Sequence, residues 1–349
     1  MHYKDNKLRV MFVICDFQGC GWYRCLMPAH YMNITGEVHA ICTAEVMMAD
    51  MYNYDVIIFQ RHFEEKINVL FKAAKDSGAT VIYEMDDDFF NIRPKNPAYP
   101  FVQPKDKENV KNLMRSADAV FVSTDPLVHM YRAFNKNIHI LPNMIEIDDA
   151  YLNMRPYDTD KNIRLVYAGG PSHVEDFEEM EGAFETLLNK YQGLLNIIFI
   201  GYCPDKLQKD KRILHIPWLQ MNEYMRALSM QLPHIGIVPL AKNSFNAAKS
   251  NLKFLEYTAV GAVTVASAVK PYVQSINHGV SGIIVDTNKP DAWVSAISEL
   301  IDAPSRLTAM RKAAALFVKE RGLNVGDNGR YWLNKMVDVH LRVQAKKRN

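Results

Sequence analysis

The sequence predicts an α/β fold of two domains, each of alternating strands and helices, facing a cleft. Three observations predict it. The chain has 349 residues, enough for two ordinary domains with separate cores. Short apolar runs alternate with helical patterns along its length, the mark of parallel α/β units. A polar, unpatterned segment, Tyr151–Asn162 (YLNMRPYDTDKN), interrupts the series near its middle. Two such halves joined by a linker leave a cleft between them, a usual place for a ligand.

The first half carries strand-like runs at Arg9–Cys15, Val56–Phe59, Thr80–Tyr83, Ala119–Val122 and Ile138–Leu141. Helical patterns such as Glu64–Lys75 and Pro126–Phe134 lie between them. Residues 91–104 (NIRPKNPAYPFVQP) hold four prolines and predict a long irregular loop, which in a compact domain is more often functional than accidental. The second half repeats the pattern. Its strands are Arg164–Tyr167, Asn196–Ile200, Ile213–Ile216, Ile235–Val238, Val263–Ala266 and Gly282–Val285. Its helices are Val174–Tyr191, Asn222–Met230, Asn251–Val260, Asp291–Ile301 and Ser305–Lys319. The tail Asp327–Val343 is amphipathic. The expected domains are 1–155 and 163–326, with 327–349 packing back across the interface.

Net charge is +2, but it is unevenly spread. Residues 1–160 hold 17 Lys+Arg against 22 Asp+Glu, and residues 161–349 hold 24 against 17. The halves therefore carry −5 and +7, which sum to +2. The basic half suits an anionic ligand, and the acidic half is a poor general platform for nucleic acid. The five cysteines are odd in number and contain no C-x-x-C pair, which points to reduced thiols rather than disulfides or zinc. No apolar run reaches the roughly 18 residues of a membrane span. The expectation is a cytoplasmic protein without an integral membrane segment, with room for peripheral membrane association.

The richest stretch is NAAKSNLKFLEYTAVGAVTVAS, Asn246–Ser267. Lys249, Lys253 and Glu256 are spaced four and three apart, which places them on one face of a helix. Ser250 can cap that helix and leave the N–H groups of Asn251 and Leu252 free for an anion. Gly169-Gly170-Pro171-Ser172-His173 follows a strand and precedes a helix, so its backbone can approach an anion. An ordinary βα loop would look the same. His173 and Asp176, three apart, can face the cleft together. Asp16-Phe17-Gln18-Gly19-Cys20-Gly21-Trp22-Tyr23-Arg24 follows the first strand. It fails the dinucleotide pattern G-x-G-x-x-G, because Arg24 stands where the third glycine belongs.

Gln60, Arg61 and His62 end another first-half strand, where α/β sites gather. Asp86, Asp87 and Asp88 are adjacent carboxylates that raise one another's pKa unless a cation or hydrogen-bond donors offset them. Metal binding, a base or acceptor contact, and a solvated loop are the three readings. The α/β alternation disfavours the architecture in which D-x-D holds a metal. Trp218 follows His215-Ile216-Pro217 and is either a stacking platform or core. Hydrolase, zincin and P-loop motifs are absent.

The order K-S-x-x-K-x-L-E-Y-x-A-x-G-x-x-x-x-A-S from Lys249 to Ser267 resembles the donor-site segment of GT-B-type glycosyltransferases. The resemblance is closest to family 4 (group 1) and its bacterial and phage relatives. FVSTDPLVHMYRAFNKNIHILPNMIE, LVYAGGPSHVEDFEEM and NHGVSGIIVDTNKPDAWVSAISELI are similar to other segments of the same family. The resemblance implies two Rossmann-like domains and transfer of a sugar from a nucleotide-diphospho-sugar to a hydroxyl, with retention. A UDP- or GDP-sugar is the expected donor, with no metal and no further cofactor.

The resemblance also implies roles for residues. Lys249, Lys253, Glu256, His173 and Asp87 would be catalytic. Gly19, Gly21, Arg24, Gly169, Gly170, Ser172, Trp218, Ser250, Asn251, Leu252 and Glu256 would hold the donor. Gln60, Arg61, His62, Asp86 and Asp88 would lie on the acceptor side. Ala248 departs from the pattern, since the family carries there the first of two glutamates eight residues apart. A glycan or lipid-linked sugar is the first acceptor class, and hydroxymethylated pyrimidine in DNA is the alternative. The departure at Ala248 motivates a third reading, a non-catalytic sugar-nucleotide binding module.

Overall fold

The computed structural model describes residues 7–153 and 162–348. The part of the linker at 154–161 lies outside the described residues. The chain separates into two compact units, neither of them continuous in sequence. Unit 1 comprises the described residues up to Phe90, then Phe101–Asn143, then the chain from Val325 onward. Unit 2 comprises Asn91–Pro100 and Met144–Asn324. The proline-rich segment thus belongs largely to unit 2, and the C-terminal helix Arg330–Arg348 belongs to unit 1.

Unit 1 is built on β1 (Leu8–Val13), β2 (Val38–Thr43), β3 (Val56–Gln60), β4 (Thr80–Met85), β5 (Ala119–Val122) and β6 (Ile138–Ile140). They form one parallel sheet in the order β2-β1-β3-β4-β5-β6. β3, β4 and β5 are buried at every position, which is why they read as largely apolar runs, with Gln60, Thr80 and Glu84 the buried polar exceptions. The C-terminal helix is fastened to this sheet from the far end of the sequence. Trp332 lies under the Arg24 guanidinium, with 4.8 Å from its carbon to the ring centre. His340 Nδ1 is 2.9 Å from Thr80 Oγ1, and Lys347 donates to the carbonyl of Ala79 at 2.7 Å.

Unit 2 is built on β7 (Ile163–Gly169), β8 (Leu195–Gly201), β9 (Ile213–Ile216), β10 (Ile235–Val238), β11 (Val263–Ser267) and β12 (Gly282–Val285). This sheet is also parallel throughout, in the order β12-β11-β10-β7-β8-β9. Its core centres on Tyr167, Phe177, Phe184, Phe199 and Trp293. In each sheet the chain reverses direction of growth beside the first strand, between β1 and β3 and between β7 and β10. Crevices at the carboxyl ends of such strands are where open α/β sheets take ligands.

One expected helix is broken. Val174–Tyr191 folds as Val174–Glu178 and Ala183–Lys190, separated by Gly182 at φ 87°, a left-handed conformation that interrupts the helix. The expected loop at residues 91–104 contains a 3-10 turn at Tyr99–Phe101. It ends where Pro104 opens a helix capped reciprocally by Gln103 and Asp106.

Candidate functional site

The switch point of unit 2 gathers the donor-side residues around one buried carboxylate. Gly169 ends β7, Gly170 and Ser172 enter a 3-10 turn (Pro171–His173), and Asp176 lies in the helix that follows. Asp176 Oδ2 stands 2.7 Å from His173 Nδ1. Its Oδ1 accepts from the Ala241 N–H and from Asn246 Nδ2, both at 2.8 Å. The carboxylate therefore ties the β7 turn to the loop after β10. A carboxylate that accepts on both oxygens assigns the imidazole proton to Nδ1 and leaves Nε2 as the acceptor nitrogen. Burial lowers the His173 pKa, the Asp176 hydrogen bond opposes that, and the charges of Lys249 and Lys253 lower it again.

The helix Leu252–Ala259 carries Lys253 and Glu256 one turn apart. Lys253 Nζ donates to Glu256 Oε2 at 2.8 Å and lies 3.1 Å from the Tyr224 hydroxyl. That hydroxyl donates to the same Glu256 oxygen at 2.8 Å. Glu256 is buried, and Lys253 keeps about a fifth of its side chain open to solvent. Tyr224 comes from the helix Met221–Met230, which the spacing of the donor segment does not reveal.

Two expectations for this segment are corrected. Lys249 does not share the helical face, because its backbone is extended at φ −60° and ψ 161° and it ends the short helix Ser244–Ala248. Its ammonium lies 4.7 Å from the centre of the Phe245 ring. Ser250 is not the cap either. The N-cap is Asn251, and its side chain bonds Ser275 Oγ at 2.9 Å rather than a helix N–H.

Trp218 is half exposed and rests on two glycines. A Cβ at Gly170 would stand 3.1 Å from the indole, and one at Gly201 would stand 2.3 Å from the Gly169 carbonyl oxygen. Only glycine lets β7, β8 and the indole approach this closely. His215 Nε2 meets the Gly201 carbonyl at 2.9 Å and holds the strand that leads to Trp218.

Unit 1 corrects several further expectations. Arg24 is fully buried and donates to Glu84 Oε1 at 2.6 Å, to the Leu141 carbonyl at 2.6 Å and to Asn143 Oδ1 at 2.9 Å. It is a structural cation, not a surface anion contact. Burial pushes the Glu84 carboxyl up to about 7 against the pull of Arg24. The glycine-rich loop offers little to an anion. Asp16 Oδ1 already accepts from the Gln18 N–H at 2.8 Å and the Gly21 N–H at 3.4 Å, and it brings a negative charge of its own. Gln60 is buried, with its Oε1 taken by the Cys15 N–H at 2.9 Å. Asp88 is buried as well and caps the Phe90 N–H at 3.2 Å.

Arg61 stands at φ 59°, a left-handed backbone that a non-glycine residue adopts at some strain. The turn brings its guanidinium to 3.5 Å from Asp86 and 4.0 Å from Asp87. Arg61 thus offsets Asp86 and Asp87, which are partly buried, while Asp88 is fully buried. Among the described residues no group of three or more His, Cys, Asp or Glu side chains is arranged to hold a metal.

A family profile described as "Glycosyl transferases group 1" matches residues 251–317, the segment that opens with the Lys253–Glu256 helix. D-inositol 3-phosphate glycosyltransferase of Thermobispora bispora is 36% identical over 98 residues, 28% of this chain and 21% of that protein. D-inositol 3-phosphate glycosyltransferase 1 of Catenulispora acidiphila is 24% identical over 236 residues, 58% of this chain and 53% of that protein. The chain therefore spans about half, or less, of these relatives' lengths. The crystal structure of Anabaena HepE in complex with UDP-glucose superposes with a TM-score of 0.67. It covers 95% of this chain and 100% of its own at 11% identity, which is a likeness of fold. The chain has the GT-B fold and resembles the group 1 glycosyltransferases, whose profile matches residues 251–317.

Proposed function

We propose that the chain is a glycosyltransferase that moves a sugar from a nucleotide-diphospho-sugar to a hydroxyl acceptor. The observation that carries it is the Lys253–Glu256 pair at the start of a helix inside the matched segment, joined by Tyr224 from the helix Met221–Met230 outside it. Lys253 turns from Glu256 to the diphosphate, where its charge stabilises the negative charge that grows on the leaving group. Glu256, held by Tyr224, accepts the ribose hydroxyls. The helix N-terminus at Asn251 and Leu252 adds its dipole. Lys249 adds a second positive charge near His173, consistent with both lysines lowering the His173 pKa. The neutral imidazole presents Nε2 as an acceptor to a sugar or acceptor hydroxyl. Trp218 supplies a flat apolar face for the base.

UDP is the first nucleotide to test, because the HepE structure holds UDP-glucose. Retention of configuration follows the resemblance to family 4. The acceptor in this reading is a glycan or a lipid-linked sugar.

Thermal stability with UDP, GDP, dTDP and ADP, in the wild type and in Lys253→Ala, tests the donor site. A nucleotide at about 100 times its dissociation constant adds roughly 2.7 kcal/mol. A shift with one nucleotide, lost in the variant, supports the site. No shift with any of the four refutes it. Acceptor-dependent release of nucleoside diphosphate then separates a transferase from a binding module that does not turn over.

A further inference from the structure

Unit 1 contains a cavity of ≈ 850 Å³ that the donor-site reading does not use. Its size falls within the roughly 300–1,000 Å³ of small-molecule sites. It lies at the carboxyl ends of β1, β2 and β3, beside the point where this sheet reverses its direction of growth. Val46, Leu70 and the largely exposed Met47 supply the accessible apolar wall, backed by the buried Val13, Ile14 and Ile67.

The charged lining residues are Glu45, Asp50, Glu64 and Lys66. Lys66 is already paired with Glu64. Asp50 holds the Met47 N–H at 2.7 Å, which fixes the loop after β2. His62 also lines the space, and burial pushes its pKa down to about 4, so it adds no positive charge at neutral pH. The balance is three carboxylates against one ammonium. A phosphate brought here would meet repulsion and no unpaired cation. An alkyl or aryl group would meet the apolar wall.

We propose that this cavity is an acceptor subsite for an uncharged or cationic acceptor bearing an apolar group of several carbons, and that phosphorylated acceptors are excluded from it. The proposal rests on the glycosyltransferase reading for the word acceptor. Its binding test stands apart from donor chemistry.

The test measures binding to the full chain by calorimetry. The probes are methyl β-D-glucoside, butyl β-D-glucoside and glucose 6-phosphate, with UDP titrated separately. Each buried methylene is worth roughly a fourfold gain, so butyl should bind on the order of 50-fold tighter than methyl. Val46→Trp places an indole across the apolar wall and should abolish that gain while UDP binding stays unchanged. Leu70→Arg is a second variant with the same expected loss, and a melting curve shows that each is folded. Glucose 6-phosphate should not bind the wild type and should gain affinity in a Glu45→Lys, Glu64→Lys double variant.

Equal affinity for the methyl and butyl probes would overturn the proposal. So would a butyl gain that survives both variants, or tight binding of glucose 6-phosphate to the wild type. A dimer in sedimentation that butyl glucoside cannot displace from this face would overturn it too, since a second copy would then be the occupant. If UDP binds and the butyl probe does not, only the subsite falls. If UDP fails to bind, the donor reading falls, whatever the glucosides do.

Discussion

Replacing Asp176 by Asn separates the charge of this buried carboxylate from its shape. The two donors on Oδ1, the Ala241 N–H and Asn246 Nδ2, need an acceptor and fix which way the new amide turns. Its oxygen faces them and its NH₂ faces His173 Nδ1, which stood 2.7 Å from the carboxylate. The imidazole must then accept at Nδ1 and carry its proton on Nε2, the reverse of the wild type. Three charge-assisted hydrogen bonds, to His173, Ala241 and Asn246, become neutral ones, a combined loss of about 2–3 kcal/mol. Asp176→Ala leaves two buried donors unpaired as well and should destabilise by at least about 3 kcal/mol. Asp176→Asn should therefore fold and yet lose roughly 10²-fold or more in kcat, as removal of a positioned proton acceptor does. Nitrogen NMR of the imidazole reads the tautomer, denaturant melts read stability, and release of nucleoside diphosphate reads turnover. A folded variant with the wild-type tautomer, or with the new tautomer and unchanged kcat, would refute the reasoning.

Trp218→Ala should weaken nucleotide binding by about 1–3 kcal/mol in calorimetry, if the indole stacks on the base. Stability should change little, because the ring is 53% exposed. Tyr224→Phe removes a hydroxyl shared by Glu256 and Lys253, and should raise the donor KM several-fold while circular dichroism stays unchanged. UDP binding should raise the His173 pKa, since an added anion favours the imidazolium; proton NMR titration with and without UDP checks the direction.

The pH dependence of stability has a defined sign at His62, whose folded pKa is lowered to about 4 from 6.5 by burial. The unfolded chain binds the proton first, so this contribution is complete above pH ~6.5 and is lost as pH falls toward 4, by up to about 3 kcal/mol. Glu84, raised to about 7 from 4.5, acts oppositely: its contribution is present at low pH and is lost as pH rises toward 7. The difference between wild type and His62→Phe isolates the histidine, and a difference independent of pH between 4 and 6.5 would sink the assignment.

Most strands were legible because buried parallel strands are short continuous apolar runs. Ala119–Val122, Ile213–Ile216, Ile235–Val238 and Gly282–Val285 have the expected bounds. β2 was not, because an edge strand such as VHAICT mixes buried Val38 and Ala40 with exposed His39 and shows no run. At the candidate site, Lys253 and Glu256 were legible because helical spacing is local. Lys249 was misplaced because spacing does not show that the backbone leaves the helix there. Tyr224 was invisible for a different reason: it reaches Glu256 from 32 residues away. The same holds for Arg24 and Glu84, 60 residues apart, where pairing depends on β4 arriving beside the first loop.

The interleaving of the two units has a consequence for biosynthesis. Vectorial synthesis presents β1 to the cell before the second unit, but the helix that packs on this sheet through Trp332, His340 and Lys347 is translated after that unit. The second unit is translated before the first unit receives that helix. At about 5–20 residues per second the nascent sheet waits tens of seconds for that helix. The sheet that is started earlier thus waits for the later helix, and a chain stalled before that helix would expose the face it covers.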